Sequence, residues 1–255
     1  MNKQEECAGK YFYCILRSAE PLELNTRGIG ERGDKVYTIN YKDMAAVVSD
    51  SPAIEYDSSR RNMMAHTAVL EEVMKEFTIL PVRFGIVAPD EKAIREQILE
   101  RRYDEFDRLL HGMEGRVELG LKTFWYEDVA LREIIEENEI IRQLRDGLAG
   151  RPAEETYYDR IRLGELVEQA VSRKRAADAD SILKRLNPIA RDSRVNKVIT
   201  ERMILNAAFL VRREREPEFD LAVQQMDREM GQRLMFKYVG SAPPYNFVNI
   251  IIKWD

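Results

Sequence analysis

Three consecutive segments near the C-terminal end decide the fold class: "TERMILNAAFLVRR" (200–213), "EPEFDLAVQQMDREMGQ" (216–232) and "RLMFKYV" (233–239). The first and third are rich in aliphatic and aromatic residues, which predicts strands. The second has apolar residues at every third or fourth position, which predicts an amphipathic helix. Those residues are Phe219, Val223, Met226 and Met230. A strand, helix, strand order favours an α+β fold in which helices pack on one face of a sheet.

The N-terminal part of the chain shows the same mixture of patterns. Strands are predicted at 10–17 (KYFYCILR), 35–41 (KVYTINY) and 44–50 (MAAVVSD), because these runs are aromatic and β-branched. Within 60–77 the apolar residues instead recur at intervals of three and four, which predicts a helix. Its apolar face consists of Met63, His66, Leu70, Val73 and Phe77. A further helix is predicted after Asp90, a residue type that caps helix starts.

The helical pattern stops near Gly112, and the apolar run 116–126 (RVELGLKTFWY) begins a second cycle of strand and helix. We therefore predict an N-terminal α+β domain at 1–112 and a C-terminal α+β domain at 113–255.

A long helical insertion is predicted in the second domain. One helix carries its apolar stripe between Leu131 and Leu148, and another extends from about 154 to 186. The charged stretch 172–180 (SRKRAADAD) predicts that the far half of the longer helix is a solvated arm laced by ion pairs.

Composition limits the classes of partner. The chain has 40 basic and 45 acidic residues, a net charge of -5 and a pI near 5.4. Such a balance gives no field that attracts phosphate backbones, so neither nucleic acid in general nor an RNA-binding role is expected. Cys7 and Cys14 are too few for a disulfide scaffold and fit a reducing cytoplasm. The N-terminal residues have no apolar core or cleavage site of a signal peptide.

One short motif suggests nucleotide binding. Gly28, Gly30 and Gly33 in "GIGERG" have the spacing of the dinucleotide fingerprint. That fingerprint functions only where a strand enters the loop and a helix leaves it, so that pyrophosphate lies at the helix N-terminus. Here a polar segment precedes the motif and a predicted strand follows it. A simple loop is the favoured interpretation.

Catalytic and metal-binding patterns are otherwise missing from the sequence. His66 and His111 are the only histidines, and neither belongs to a zinc-binding spacing. His66 is interpreted as a hydrogen-bonded histidine on an apolar helix face, and His111 as a cation at a helix C-terminus. Acidic residues such as Glu136 are explained by solvated helix faces, although sequence leaves a paired general acid and base open. We predict no catalytic residue, metal or cofactor.

The C-terminal segment 241–255 (SAPPYNFVNIIIKWD) is unusually apolar for an acidic chain. Its apolar run is far shorter than the roughly 20 residues of a membrane-spanning helix, so no membrane contact is expected. Alternate residues share one predicted face: Val248, Ile250 and Ile252. This alternation predicts a strand buried mainly on one side, begun by a proline pair. Direct partner contact is the alternative, with candidate partner-binding residues Pro244, Tyr245 and Phe247.

Five segments, in the same order along the chain, resemble the gas vesicle protein GvpF/GvpL family. They are "YFYCIL" (11–16), "AHTAVLEEV" (65–73), "ILPVRFG" (79–85), "RMILNAAFLV" (202–211) and "FKYVGSAPPYNFVNI" (236–250). The last segment matches the family's ending, except that Ser241 and Ala242 replace the usual Pro and Trp. Thr67 stands where the family helix often has Glu.

This resemblance implies a non-enzymatic accessory protein of gas vesicles, located in the vesicle and the cytoplasm. Family members are similar to two-domain proteins, with a modified ferredoxin-like N-terminal domain and a ferredoxin-like C-terminal domain enlarged by long helices. The implied partners are the hydrophobic shell subunit and other gas vesicle proteins, and the implied role is vesicle assembly, with a place as a minor shell component. A small nucleotide-binding module or enzyme using the Gly28–Gly33 loop is the alternative.

Overall fold

The computed structural model describes residues 9–52 and 55–254, and the predicted reduced Cys7 lies outside these ranges. The chain divides into two compact units: Met1–Glu118 with Ser241–Asp255, and Leu119–Gly240. The sequence-based division placed residues 241–255 in the second domain. In the structure they group with the first unit, because Val248 and Ile250 belong to its hydrophobic core.

The first unit is built on one sheet. Its strands are β1 (Gly9–Arg17), β2 (Glu23–Arg27), β3 (Lys35–Tyr41), β4 (Met44–Ser51), β5 (Ile79–Pro81) and β6 (Val87–Ala88). Its helices are α1 (Arg60–Met74), α2 (Glu91–Ala93), which continues into a π-helical segment (Ile94–Glu100), and α3 (Tyr103–Met113). The strand order is β2-β3-β4-β1-β5, and β6 also pairs with β1. Strand β1 is antiparallel to β4, β5 and β6 and therefore lies inside the sheet.

Both faces of β1 are covered, which explains its unbroken apolar run. Phe12 and Ile15 belong to a core shared with the π-helical segment and α3, whereas Tyr11 and Tyr13 belong to a second core shared with α1. The pairing register with β4 shifts between Phe12 and Cys14, as a β-bulge does. Helices thus cover both faces of this sheet, and the expectation of helices on one face is wrong for this unit. A strand buried on both sides shows continuous rather than alternating hydrophobicity.

The second unit combines a smaller sheet with longer helices. Its strands are β7 (Arg116–Trp125), β8 (Asp192–Val195), β9 (Met203–Arg212) and β10 (Leu234–Ala242), in the order β10-β7-β9-β8. Its helices are α4 (Glu127–Glu137), α5 (Glu139–Leu148), α6 (Tyr157–Leu186) and α7 (Glu216–Met230). The predicted strand, helix, strand order β9-α7-β10 is confirmed. Phe219, Val223 and Met226 form the buried stripe of α7.

Two features of the helical insertion differ from the prediction. The helix expected through Leu131 and Leu148 is interrupted at Asn138, whose side chain accepts a hydrogen bond from the Ile141 amide and so caps a separate helix, α5. In α6 the far half is the anchored part, with Ile182 and Leu186 buried. The N-terminal half of α6 is the exposed part, with Tyr157, Tyr158 and Ile161 open to solvent. The predicted solvated arm is therefore at the N-terminal end of this helix and not at its C-terminal end.

Beyond Ala242, the last residue of β10, residues 243–254 of the C-terminal segment form no strand. The predicted strand is therefore wrong, whereas the predicted alternation is confirmed: Val248 and Ile250 are buried, and Asn249 and Ile251 are exposed. The amide of Val248 donates to the Pro244 carbonyl, so a helical turn follows the proline pair. Side-chain burial, rather than a hydrogen-bonded ladder, fixes the position of this segment.

Candidate functional site

The three candidate partner-binding residues occupy different environments in the C-terminal segment. Pro244 is buried, Phe247 is half-buried, and Tyr245 keeps 40% of its surface exposed. The Tyr245 hydroxyl lies 2.8 Å from Nε2 of His66. Only Tyr245 combines an exposed ring with a fixed position, because Pro244 has little surface left for a partner.

His66 joins the segment to β1 through a chain of hydrogen bonds. Its Nδ1 lies 3.0 Å from the Tyr11 hydroxyl, and that hydroxyl accepts a bond of 2.9 Å from the Gly85 amide. The arrangement that uses every polar atom has the Tyr11 hydroxyl donating to Nδ1 and Nε2–H donating to Tyr245. The Tyr245 hydroxyl then donates to the Val82 carbonyl at 3.4 Å. Gly85 fits this position because its φ is +90°, a value that favours glycine.

The surroundings of His66 hold it neutral. The side chain is 2% exposed, and burial lowers its pKa to about 4. Tyr13 stacks on the imidazole with ring centroids 5.6 Å apart, and burial raises the pKa of Tyr13 to about 12. No carboxylate is hydrogen-bonded to the imidazole among the described residues. The interpretation of His66 as a buried, hydrogen-bonded histidine is confirmed.

The remaining contacts hold the C-terminal segment along its length. Glu118 accepts hydrogen bonds from the backbone amide and the side-chain amide of Asn246, at 2.9 and 2.6 Å. This carboxylate is 5% exposed, and burial raises its pKa. Arg102 donates to the Ile251 carbonyl at 2.9 Å. Sequence reasoning missed Glu118, although a single acid inside the apolar run of β7 was a usable signal.

The "GIGERG" motif connects β2 to β3, which are antiparallel neighbours. A strand rather than a helix follows the motif along the chain, so the motif lacks the strand-to-helix context of the dinucleotide fingerprint. Gly28 packs so closely on Ser49 that an added Cβ would lie 2.5 Å from its hydroxyl oxygen. The glycine spacing therefore reflects a tight connection between strands, and the predicted loop is confirmed.

Ion pairs hold the middle of α6. Arg233 contacts Asp178 at 2.9 Å and Glu133 at 3.1 Å, and the indole of Trp125 donates to Asp178 at 2.8 Å. Lys174 bonds to Glu133 at 3.0 Å. Of residues 173–175, Lys174 forms ion pairs, but its partners Glu133 and Glu137 lie on α4, so the predicted pairing with acids of α6 itself is wrong for this residue.

Within residues 9–52 and 55–254, no cluster of three or more His, Cys, Asp or Glu side chains could hold a metal ion. In the same ranges no helix combines the length and the apolar character needed to cross a bilayer. His111 lies in the last turn of α3, as predicted.

The fold and these contacts define a class: a two-unit α+β protein in which buried polar groups hold the C-terminal segment and partly buried ion pairs hold helix α6. A family model described as gas vesicle synthesis protein GvpL/GvpF matches residues 9–249. The chain belongs to this family, and its role is accordingly in gas vesicle assembly. The family is a structural and assembly family of gas vesicles and not a known class of enzyme.

Individual relatives are similar in sequence to this protein along nearly the whole chain. Gas vesicle protein F of Dolichospermum flosaquae is 30% identical over 242 residues, covering 94% of this chain and 97% of the relative. Gas vesicle protein F of a Streptomyces strain is 32% identical over 240 residues, covering 93% and 98%.

Two solved structures are similar to this protein in fold. The crystal structure of GvpF from an Anabaena species matches with a TM-score of 0.85 and 28% identity, covering 96% of this chain and all of that one. The crystal structure of GvpF from Microcystis aeruginosa matches with a TM-score of 0.79 and 30% identity, covering 95% of this chain and all of that one. The predicted α+β fold is confirmed, and the ferredoxin-like description of each domain stays a prediction.

Proposed function

We propose that the protein is a non-enzymatic assembly factor that binds the hydrophobic shell subunit of the gas vesicle, both in the cytoplasm and at the vesicle, where it stays as a minor component. The family match over residues 9–249 carries this proposal. An apolar shell subunit exposes surface that water penalises by about 25 cal/mol per Å², so a soluble partner that covers this surface favours assembly.

The exposed apolar side chains of the protein support such a role. In the first unit Met63 and Met64 are exposed on α1, although Met63 was predicted to be on the buried face. Flexible methionine side chains adapt to varied apolar partners. In the second unit the exposed apolar side chains include Tyr157, Tyr158 and Ile161 of α6.

Tyr245 is the residue of the C-terminal segment that we propose for partner contact. Its ring is accessible and its hydroxyl is fixed by His66, so it can contact a partner with little loss of side-chain entropy. Pro244 and Phe247 contribute by fixing the backbone on either side of this ring.

Co-purification of the protein with the shell subunit, combined with gene deletion in a vesicle-forming host, tests the proposed function. We expect capture of the shell subunit and loss or reduction of vesicles. Tyr245→Ala should weaken capture, whereas Tyr245→Phe, which keeps the ring, should not. Absence of capture together with normal vesicles in the deletion strain would contradict the proposal.

A further inference from the structure

A groove of about 510 Å³ lies between α4 and α6 in the second unit. The end of β7 and residues 201–202 complete its wall. Its apolar lining comes from Trp125, Ala130, Leu131, Ile134 and Val171. Trp125, Ala130 and Ile134 are nearly buried, whereas Leu131 is 40% exposed at the edge. A groove with an apolar floor and an exposed leucine at its edge can bind an apolar side chain of a partner.

Arg175 places a half-buried positive charge inside this groove. Its guanidinium lies 5.6 Å from the centre of the Trp125 ring, and Nη2 donates to the Glu201 carbonyl at 2.7 Å. Its Nε is buried and has no acceptor, and no carboxylate within the described ranges forms an ion pair with Arg175. A half-buried cation without a counter-ion is unfavourable, so an anionic group from a ligand would be stabilised beside it.

The other charges of the groove are at its exposed rim. Glu127, Glu168 and Glu201 are exposed, as is Arg202. Solvent and salt screen exposed charges more strongly than a half-buried one. Arg175 therefore has the larger effect on which ligand charge is accepted inside the groove.

We propose that this groove binds a segment of the hydrophobic shell subunit that places an apolar side chain against Trp125 and Ile134 and a neighbouring carboxylate against Arg175. The inference rests on the proposed function and names the surface and the chemistry of the contact. Apolar insertion provides the affinity, and the carboxylate selects the segment and its direction.

Photo-crosslinking locates the contact. A photoreactive amino acid is incorporated into the full chain at position 131, at the groove, or at position 221 as the matched control. Leu221 is also an exposed leucine of the second unit, 61% exposed on α7, but it does not line the groove. We expect crosslinks to the purified shell subunit from position 131 only, and mass spectrometry should find an acidic residue next to the crosslinked position.

Charge variants test the role of Arg175. Arg175→Gln should weaken binding of the shell subunit about tenfold, as loss of a central interface residue does. Arg175→Lys keeps the charge and should retain most of the affinity. Glu168→Gln should leave binding unchanged or make it tighter. If Glu168→Gln weakens binding as much as Arg175→Gln, the groove selects a cation and the proposal is overturned.

The outcomes separate this inference from the proposed function. Capture of the shell subunit with crosslinks from 221 but not from 131 would overturn the groove and leave the proposed function intact. Failure of capture by the unmodified protein would overturn both. Circular dichroism of each variant shows whether the fold is retained, and Leu131→Asp, at an exposed position, provides a second groove variant if Arg175→Gln unfolds. We expect Leu131→Asp to weaken binding and Leu221→Asp to have no effect.

Discussion

Strand β1 and helix α6 are held in place by opposite means. Every residue from Tyr11 to Leu16 in β1 is fully buried, and two cores share them. Helix α6 has 30 residues, but only Ile182 and Leu186 are buried. Its middle part is held by Lys174 and Asp178 through ion pairs. The difference indicates where the sequence can change: packing on both sides constrains β1, whereas α6 is anchored at a few positions and leaves much of its surface exposed.

The largest expected effect contrasts the two elements directly. Phe12→Ala should lower the free energy of unfolding by about 4 kcal/mol, because it leaves a cavity in a closely packed core. Ile161→Ala, at a position of α6 that is 45% exposed, should change it by less than about 0.5 kcal/mol. Urea unfolding followed by far-UV circular dichroism measures both values. Equal effects would show that the near half of α6 is packed more tightly than its exposure indicates.

The second largest effect is a pH dependence of the free energy of unfolding, caused by His66, which packs on β1. Burial lowers the pKa of His66 from 6.5 to about 4. The unfolded chain therefore binds a proton that the folded chain does not between these pH values. Stability from this residue is fully present above pH 6.5 and is lost as the pH falls toward 4, by roughly 3 kcal/mol in total.

Unfolding measured at several pH values between 7 and 4 tests this expectation. His66→Gln cannot titrate, so its stability should fall less over the same interval. His111→Gln is the control, because His111 is on an exposed helix end. If His66→Gln retained the full pH dependence, the pKa of His66 would not be lowered in the folded state.

The contrast between β1 and α6 also explains what sequence could predict. Burial on both sides of β1 left an unbroken apolar run, and the family segment "YFYCIL" coincides with it. The buried stripe of α7 was equally readable, because Phe219 and Val223 have helical spacing. Local patterns therefore identified strands, helices and the α+β class.

Local sequence patterns could not predict contacts between residues that are far apart in the chain. Glu118 and Asn246 are 128 positions apart in the sequence, and nothing near Glu118 indicates its partner. The C-terminal segment has the alternation of a strand, but alternation records burial and not hydrogen-bond pairing. Likewise, the charge of α6 did not reveal that Lys174 bonds across to Glu133.

The smallest effect concerns the ion pairs that hold α6. Arg233→Gln leaves Glu133 and Asp178 without their shared cation. We expect a loss of about 2 kcal/mol in the free energy of unfolding, less than the roughly 3–5 kcal/mol of a fully buried pair, because these side chains remain partly accessible. Lys184→Gln is the control on the same helix, since Lys184 forms an exposed pair with Asp180 and should contribute less than about 0.5 kcal/mol.

The pH dependence of this loss distinguishes an electrostatic role of Arg233 from packing alone. Burial acts to raise the pKa of Glu133, but hydrogen bonds from Arg233 and Lys174 outweigh it and hold the pKa below 4.5. The stability from this carboxylate is thus present above pH 4.5 and lost as the pH falls through its lowered folded pKa. In Arg233→Gln that acid-induced loss should shrink, so the difference between wild type and variant narrows as the pH is lowered to 3. A difference that stays constant over this interval would show that Arg233 holds α6 through the packing of its aliphatic stem, and that the anchoring of α6 resembles that of β1 more than its ion pairs suggest.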